Sequence, residues 1–257
     1  MEALPKIMVA PNGARLTKED HPAIPMTIEE TVECAAACHA QGADALHAHL
    51  RDEEGQHILD AGLYRELIDE MALKVPTMDV QITTEAVGRY DAPFQRHIVR
   101  AVKPKFASAG LRELLSDSHD MAAKRFYYDM EEAGIGIQHI LYSGEDVQLF
   151  QLNLVKGILP PVYHHLIFVL GRYTDGQQSH PSQLDPFFKF FSVEELEEHD
   201  WSVCAFGTGE MDCLLRGYQN GGKCRIGFEN SLHMADGSIA PSNEAKVAEL
   251  VEKLKTA

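Results

Sequence analysis

Short apolar runs alternate with longer amphipathic stretches from one end of the chain to the other. The apolar runs cover residues 6–11, 45–51, 79–84, 106–109, 136–142, 164–170, 202–206 and 224–229, each of strand length and bounded by turn or helix-start signals. Helices are predicted between them: from Thr27, whose side chain and Glu30 make a capping box, to Gly42; over 61–73, stopping before Pro76; and over 92–102, with Pro93 in the first turn. Further helices follow over 120–133, 145–156 and 243–255, one carries the Phe187 to Phe191 cluster, and one leads from Gly207-Thr208-Gly209 to Gly221-Gly222. The run at 164–170 is the most apolar, as expected for a strand covered on both faces. Strict alternation of eight strands with eight helices predicts an α/β fold, a (β/α)8 TIM barrel in a single domain over residues 1–257. The polar stretch at 171–182 is the longest loop and a candidate lid.

Composition narrows the partners without changing that picture. Lysine and arginine number 23 against 39 aspartates and glutamates, a net charge of −16. Such a balance argues against nucleic acid or an anionic membrane as partner, while leaving room for a local basic pocket. Cys34, Cys38, Cys204, Cys213 and Cys224 are odd in number and form no Cys-x-x-Cys pair, which fits reduced thiols in a cytosolic enzyme. No run approaches the roughly 20 apolar residues of a membrane span, and the amino terminus lacks the features of a signal peptide. A complete cytoplasmic protein is expected.

The candidate chemistry starts in the second strand, which reads Ala-Leu-His-Ala-His-Leu-Arg-Asp over 45–52. Alternation puts His47, His49 and Arg51 on one face, with the imidazoles about 7 Å apart at the Cα level, within reach of one divalent metal. Active residues of such barrels sit at the carboxyl ends of the strands. Reading those ends gives Asn12 and Arg15, then His47, His49 and Asp52, then Thr83, Thr84 and Glu85, then Ser108, Tyr142, Arg172, Glu210, Arg225, Glu229 and Asn230. Closure places the eighth strand beside the first and two places from the second, so Glu229 is the predicted third ligand. The alternative for Glu229 is a structural ion pair with Arg225. Two imidazoles and one carboxylate leave open coordination positions, and zinc suits these ligands best, with manganese, iron or nickel as alternatives.

The strand-two motif, Gln81-Ile82-Thr83-Thr84, Phe168-Val169-Leu170-Gly171, and Arg225-Ile226-Gly227-Phe228-Glu229-Asn230-Ser231-Leu232 followed by Ser242-Asn243 together resemble the β-keto acid cleavage enzymes. The resemblance implies one zinc held by His47, His49 and Glu229. It also implies a Claisen-type exchange in which a β-keto acid and acetyl-CoA give acetoacetate and a new acyl-CoA, in a homo-oligomer such as a tetramer. Thr83, Thr84 and Ser108 are placed to bind the keto acid's carboxylate, and Arg225 to pair with it or to orient a base.

Three segments depart from the family pattern. Asn230 stands where those enzymes usually carry Asp, Gly171-Arg172-Tyr173 replaces a Val-Pro-Gly-Gly turn, and Phe206-Gly207-Thr208-Gly209 replaces Gly-Ile-Gly-Arg. An amide cannot serve as a general base, so proton transfer passes to Glu85, Asp52 or Glu210. The candidate catalytic residues are therefore Arg225, Asn230 and Glu85. Arg15 either selects a substrate with a second anionic group or is a surface residue. Two other functions compete: a metal-dependent hydrolase of amidohydrolase type, which would recruit His139 and His164 or His165, and a barrel that binds metal and keto acid without turnover.

Overall fold

Eight parallel strands form where the sequence places its apolar runs, and they close into a barrel. The computed structural model describes residues 2–117, 120–191 and 193–257. The barrel strands are β1 Ile7–Val9, β2 Ala45–Ala48, β3 Asp79–Thr83, β4 Phe106–Gly110, β5 Gly136–Leu141, β6 His165–Leu170, β7 Asp200–Ala205 and β8 Lys223–Ile226. Each pairs with the next, and β1 pairs with β8, Ile7 opposite Cys224 and Val9 opposite Ile226. This is the (β/α)8 barrel the alternation predicts.

The long helices are α1 Ile28–Ala40, α2 Ala61–Lys74, α3 Ala92–Val102, α4 Asp120–Glu132, α5 Gly144–Val155, α6 Glu210–Gln219 and α7 Asn243–Leu254. Their starts are chemically marked. Thr27, Asp60, Asp91 and Ser242 each accept a backbone N–H of the first turn, which satisfies one of the donors a helix start leaves free. Glu30 reaches back to the amide of Met26, the residue before the cap, at 2.8 Å, in place of the Thr27 amide that a capping box would use.

Two elements differ from the sequence pattern. Among the described residues no continuous helix follows β6; that stretch holds 3-10 turns at Asp175–Gln177 and Pro181–Leu184 and short helices at Asp185–Phe188 and Val193–Glu197. Pro181 and Pro186 restart the chain in successive first turns, and the phenylalanines still supply a packing face, with Phe187 stacked on Phe168 at 4.6 Å. The second strand also ends early. After Ala48 the chain leaves the barrel, and Leu50–Arg51 pairs antiparallel with His57–Ile58 in a separate two-stranded ribbon. Arg51 therefore does not share the wall of His47 and His49. Its guanidinium donates to the carbonyls of Gly55, Gly13 and Leu16 and ties the ribbon to the loop after β1.

Apolar burial falls into layers. The main core lies between the strands and the helices, while Ile167, Val169, Cys204 and Phe206 form a small cluster of their own with Ile140 and Tyr142 against it. His139 and His164 belong to the outer layer, packed edge-on against one another and around Phe150, with His199 beside them. His164 donates to the Pro160 carbonyl and His165 to the Glu2 carbonyl. None of the three histidines joins the His47 and His49 cluster, so the additional ligands an amidohydrolase-type site would need are used in packing.

Burial holds these three imidazoles neutral: His164 and His165 are pushed down to about 4 and His139 well below its ordinary value. A folded-state pKa below the unfolded value means that the unfolded chain binds protons first as pH falls. The stability they contribute is then complete above about pH 6.5 and lost progressively toward pH 4, by up to about 4 kcal/mol per pH unit for the three together. Urea unfolding of metal-free protein at pH 7.5 and pH 5 should show this loss; equal unfolding free energies would contradict it.

Candidate metal centre and active site

The carboxyl ends of β1, β2 and β8 bring three donor side chains together because the backbone there has little freedom. β8 stops at Ile226, and Gly227 follows at φ +145, where a Cβ would lie 2.3 Å from the Ala10 carbonyl oxygen. Only glycine tolerates both the angle and the approach. The Ala10 amide donates to the Ile226 carbonyl at 2.8 Å and the Glu229 amide to the Ala10 carbonyl at 3.0 Å, so the chain folds back across the end of β1. Asn243, at the start of α7, clamps the two strands: its side chain accepts from the Phe228 amide and donates to the Pro11 carbonyl. Gly13, at φ +62, lies directly against Glu229, and a Cβ there would stand 2.5 Å from Glu229 Cγ.

His47 Nε2 and His49 Nε2 are 3.1 Å apart, and Glu229 Oε2 is 3.4 Å from each. Among the described residues these three make the group of metal-type donors whose atoms converge within 4.8 Å. Ligands bound at 2.0–2.1 Å in a tetrahedral arrangement are separated by roughly 3.3 Å, so the triangle has the edges a zinc-sized ion needs. His47 Nδ1 donates to Gln81 Oε1 at 2.8 Å, which turns the Nε2 lone pair into the site. Gln81 in turn donates to Gln138 Oε1, and Gln138 to Ser202 Oγ and the Leu166 carbonyl. A relay thus crosses the barrel from β2 through β3 and β5 to β7.

Electrostatics prepare the donors for a cation. Burial works against a charged Glu229, yet the Arg225 guanidinium and the two imidazoles hold its carboxyl well below the usual range. Burial, followed by the nearby Arg225 charge, pushes His47 down to about 3, so its imidazole is neutral. A metal would displace no proton from either group. Glu229 also gives its second oxygen to Arg225 Nη2 at 3.0 Å, and Arg225 reaches Cys204 Sγ at 3.3 Å. The ion pair with Arg225 and the ligand triangle are therefore two uses of one carboxylate.

Around the triangle, Thr83 and Glu85 line a space of about 30 Å³, enough for one water-sized group. Thr83 Oγ1 accepts the Glu85 amide at 3.0 Å and keeps its own proton for a ligand. Ser108, opposite Thr83 in register, has a buried hydroxyl without a protein partner. Thr84 is engaged elsewhere: its hydroxyl donates to the Ser108 carbonyl, within the sheet. Glu85 stands 3.8 Å from both His49 Nδ1 and Arg172 Nη2, and Arg172 lies over the Phe206 ring. Arg15 and Asn230 line an adjoining cavity of about 240 Å³ that also reaches Glu85 and Glu229.

The other proposed bases have structural work. Asp52 accepts the amides of Glu54 and Gln56 in the ribbon's turn. Glu210 is buried in an ion pair with Lys246 at 2.6 Å and accepts the Gly227 amide. The residues that sequence reasoning passed over are Gln81, Gln138 and Gly13. Gln81 sits between Val80 and Ile82, two residues before Thr83, and a buried amide at such a position signals a polar partner.

Comparison with known proteins identifies the family. The family model described as beta-keto acid cleavage enzyme matches residues 6–257. The 3-keto-5-aminohexanoate cleavage enzyme of Fusobacterium nucleatum is 27% identical over 250 residues, 94% of this chain and 86% of the relative. The 3-oxoadipate:acetyl-CoA acetyltransferase of Cupriavidus necator is 23% identical over 260 residues, 95% of this chain and 86% of that protein. Apo ObcA shares the fold with a TM-score of 0.69 at 14% identity; the match covers 91% of this chain and 62% of ObcA. With the match running from the first strand to the last helix, the chain belongs to the β-keto acid cleavage enzyme family and is a carbon–carbon bond-cleaving enzyme.

Proposed function

We propose that this chain exchanges acyl groups between a β-keto acid and acetyl-CoA, giving acetoacetate and a new acyl-CoA, at a site where His47, His49 and Glu229 hold one zinc ion. The observation that carries the reading is the donor triangle, whose 3.1, 3.4 and 3.4 Å edges suit tetrahedral ligation. When bound, the metal supplies Lewis acidity that stabilises negative charge on a keto-acid enolate. The protein's own residues do the rest. The hydroxyls of Thr83 and Ser108 receive the substrate carboxylate, since both protons are uncommitted and the two residues are register partners. Arg225 keeps Glu229 ionised and aimed.

Glu85 takes the proton from the methylene between the keto and carboxylate groups. Its carboxylate faces the same small space as the triangle, and 3.8 Å contacts to His49 and Arg172 hold it there. Asn230 cannot take that role, because its amide is too weakly basic to accept a proton at neutral pH. The nearby coenzyme is read from the relatives: the Cupriavidus necator protein is named for transfer to acetyl-CoA.

Metal analysis of the purified protein should find about one zinc per chain, and incubation with β-keto acids and acetyl-CoA should release acetoacetate identified by mass. His47→Ala should lose both metal and turnover; full activity without metal would refute the reading. Glu85→Gln should keep its metal while kcat falls on the order of a hundredfold or more. Unchanged kcat in that variant would move the proton elsewhere. Gly13→Ala, which drives a methyl group into Glu229, should weaken metal binding by about tenfold or more while the barrel still folds; metal titration followed by circular dichroism separates the two effects.

A further inference from the structure

The cavity of about 240 Å³ beside the triangle is lined by Asn12, Arg15, Glu85, Arg172, Glu229 and Asn230, among others. The lining holds two arginines, Arg15 and Arg172, and two glutamates, Glu85 and Glu229, but Glu229 has a further cationic partner, Arg225, from outside the cavity. Glu229 is matched by Arg225 at 3.0 Å and Glu85 by Arg172 at 3.8 Å. Arg15 has no hydrogen bond or ion pair with any described residue, so one full positive charge is left over in a chain whose net charge is −16.

Asn230 supplies a second, independent observation. The residue is 4% exposed, and neither Nδ2 nor Oδ1 of its side chain has a hydrogen-bond partner among the described residues. A buried amide with no bond made carries the unrecovered desolvation of each of its polar groups. Such a group is retained where a ligand completes it. Its backbone is fixed by bonds to Gly227 and Gly207, so the side chain is presented on a rigid turn.

We infer that this cavity receives a second carboxylate of the substrate, held by the Arg15 guanidinium and the Asn230 N–H, so that the preferred keto acid is a dicarboxylate. The inference rests on the cleavage reading for the position of the first carboxylate, at Thr83 and Ser108. An arginine presents paired donors that match a carboxylate's two oxygens. An amide beside it adds a donor without adding negative charge. A carboxylate at position 230 would cancel the Arg15 charge and repel the incoming anion.

Calorimetric titration of the metal-loaded protein with hexanedioate and hexanoate tests the pocket apart from turnover. Hexanedioate should bind more tightly by about tenfold or more, and Arg15→Gln should collapse that ratio to near one. Asn230→Asp should lower it as well, with metal content and melting temperature reporting that both variants are folded and loaded. In turnover, kcat/KM for 3-oxohexanedioate should exceed that for 3-oxohexanoate, and the ratio should fall in both variants. Equal affinity for the two acids, or a ratio that Arg15→Gln leaves in place, would overturn the inference. If neither keto acid is cleaved, the cleavage reading fails, and the binding ratio still decides whether the cavity takes a second carboxylate.

Discussion

Everything at the mouth of this barrel depends on how one buried carboxylate is shared. Glu229 gives one oxygen to Arg225 and the other to two imidazoles. Neither interaction suffices by itself: a carboxylate removed from water against neutral imidazoles would favour protonation, and one paired only with arginine would be spent on structure. Shared between them, it stays ionised and keeps an acceptor directed at the metal position. The turn that delivers it needs glycine at two places, Gly227 against Ala10 and Gly13 against Glu229 itself.

The same logic extends inward. His47 is oriented by Gln81, Gln81 by Gln138, and Gln138 by Ser202, so the imidazole's tautomer is set by a chain of amides that spans the barrel interior. Each amide both donates and accepts, which lets polarity cross a buried space without leaving a charge in it. Above this polar layer, Ile140, Tyr142, Val169 and Phe206 supply apolar walls, and Arg172 lies against Phe206 while it meets Glu85. The proposed base thus sits where an apolar wall and a cation meet the ligand triangle.

Much of this was legible in the sequence because period and closure are strict. Eight apolar runs predict eight strands, and circular closure alone carries Glu229 from the far end of the chain to His47 and His49. The departures lie where local chemistry overrides period. The alternation that put Arg51 on the wall of the two histidines fails because the chain leaves the barrel at His49, drawn into a ribbon whose guanidinium finds three carbonyls. The helix expected after β6 breaks up at two prolines. Thr84 and Glu210 have the right residue types at the right strand ends, yet their partners, the Ser108 carbonyl and Lys246, come from other elements and cannot be read from spacing. Gln81 and Gln138 were visible as polar residues in apolar strands, but their relay exists only once β3 and β5 are placed around a common axis.

The clamp made by Asn243 has a consequence for the order in which the site comes into being. Both histidines belong to the second strand, whereas the turn that carries Glu229 is tied to β1 by a residue of the last helix, and Lys246 of that helix reaches the His233 carbonyl and Glu210. During synthesis, a chain that has emerged only through its middle strands holds two imidazoles and no carboxylate to complete them. The third ligand arrives together with the helix that seals the barrel. On the proposed reading, a site able to hold a metal exists only in a chain that has closed its ring, and metal retention would read out whether the two ends of the polypeptide have met.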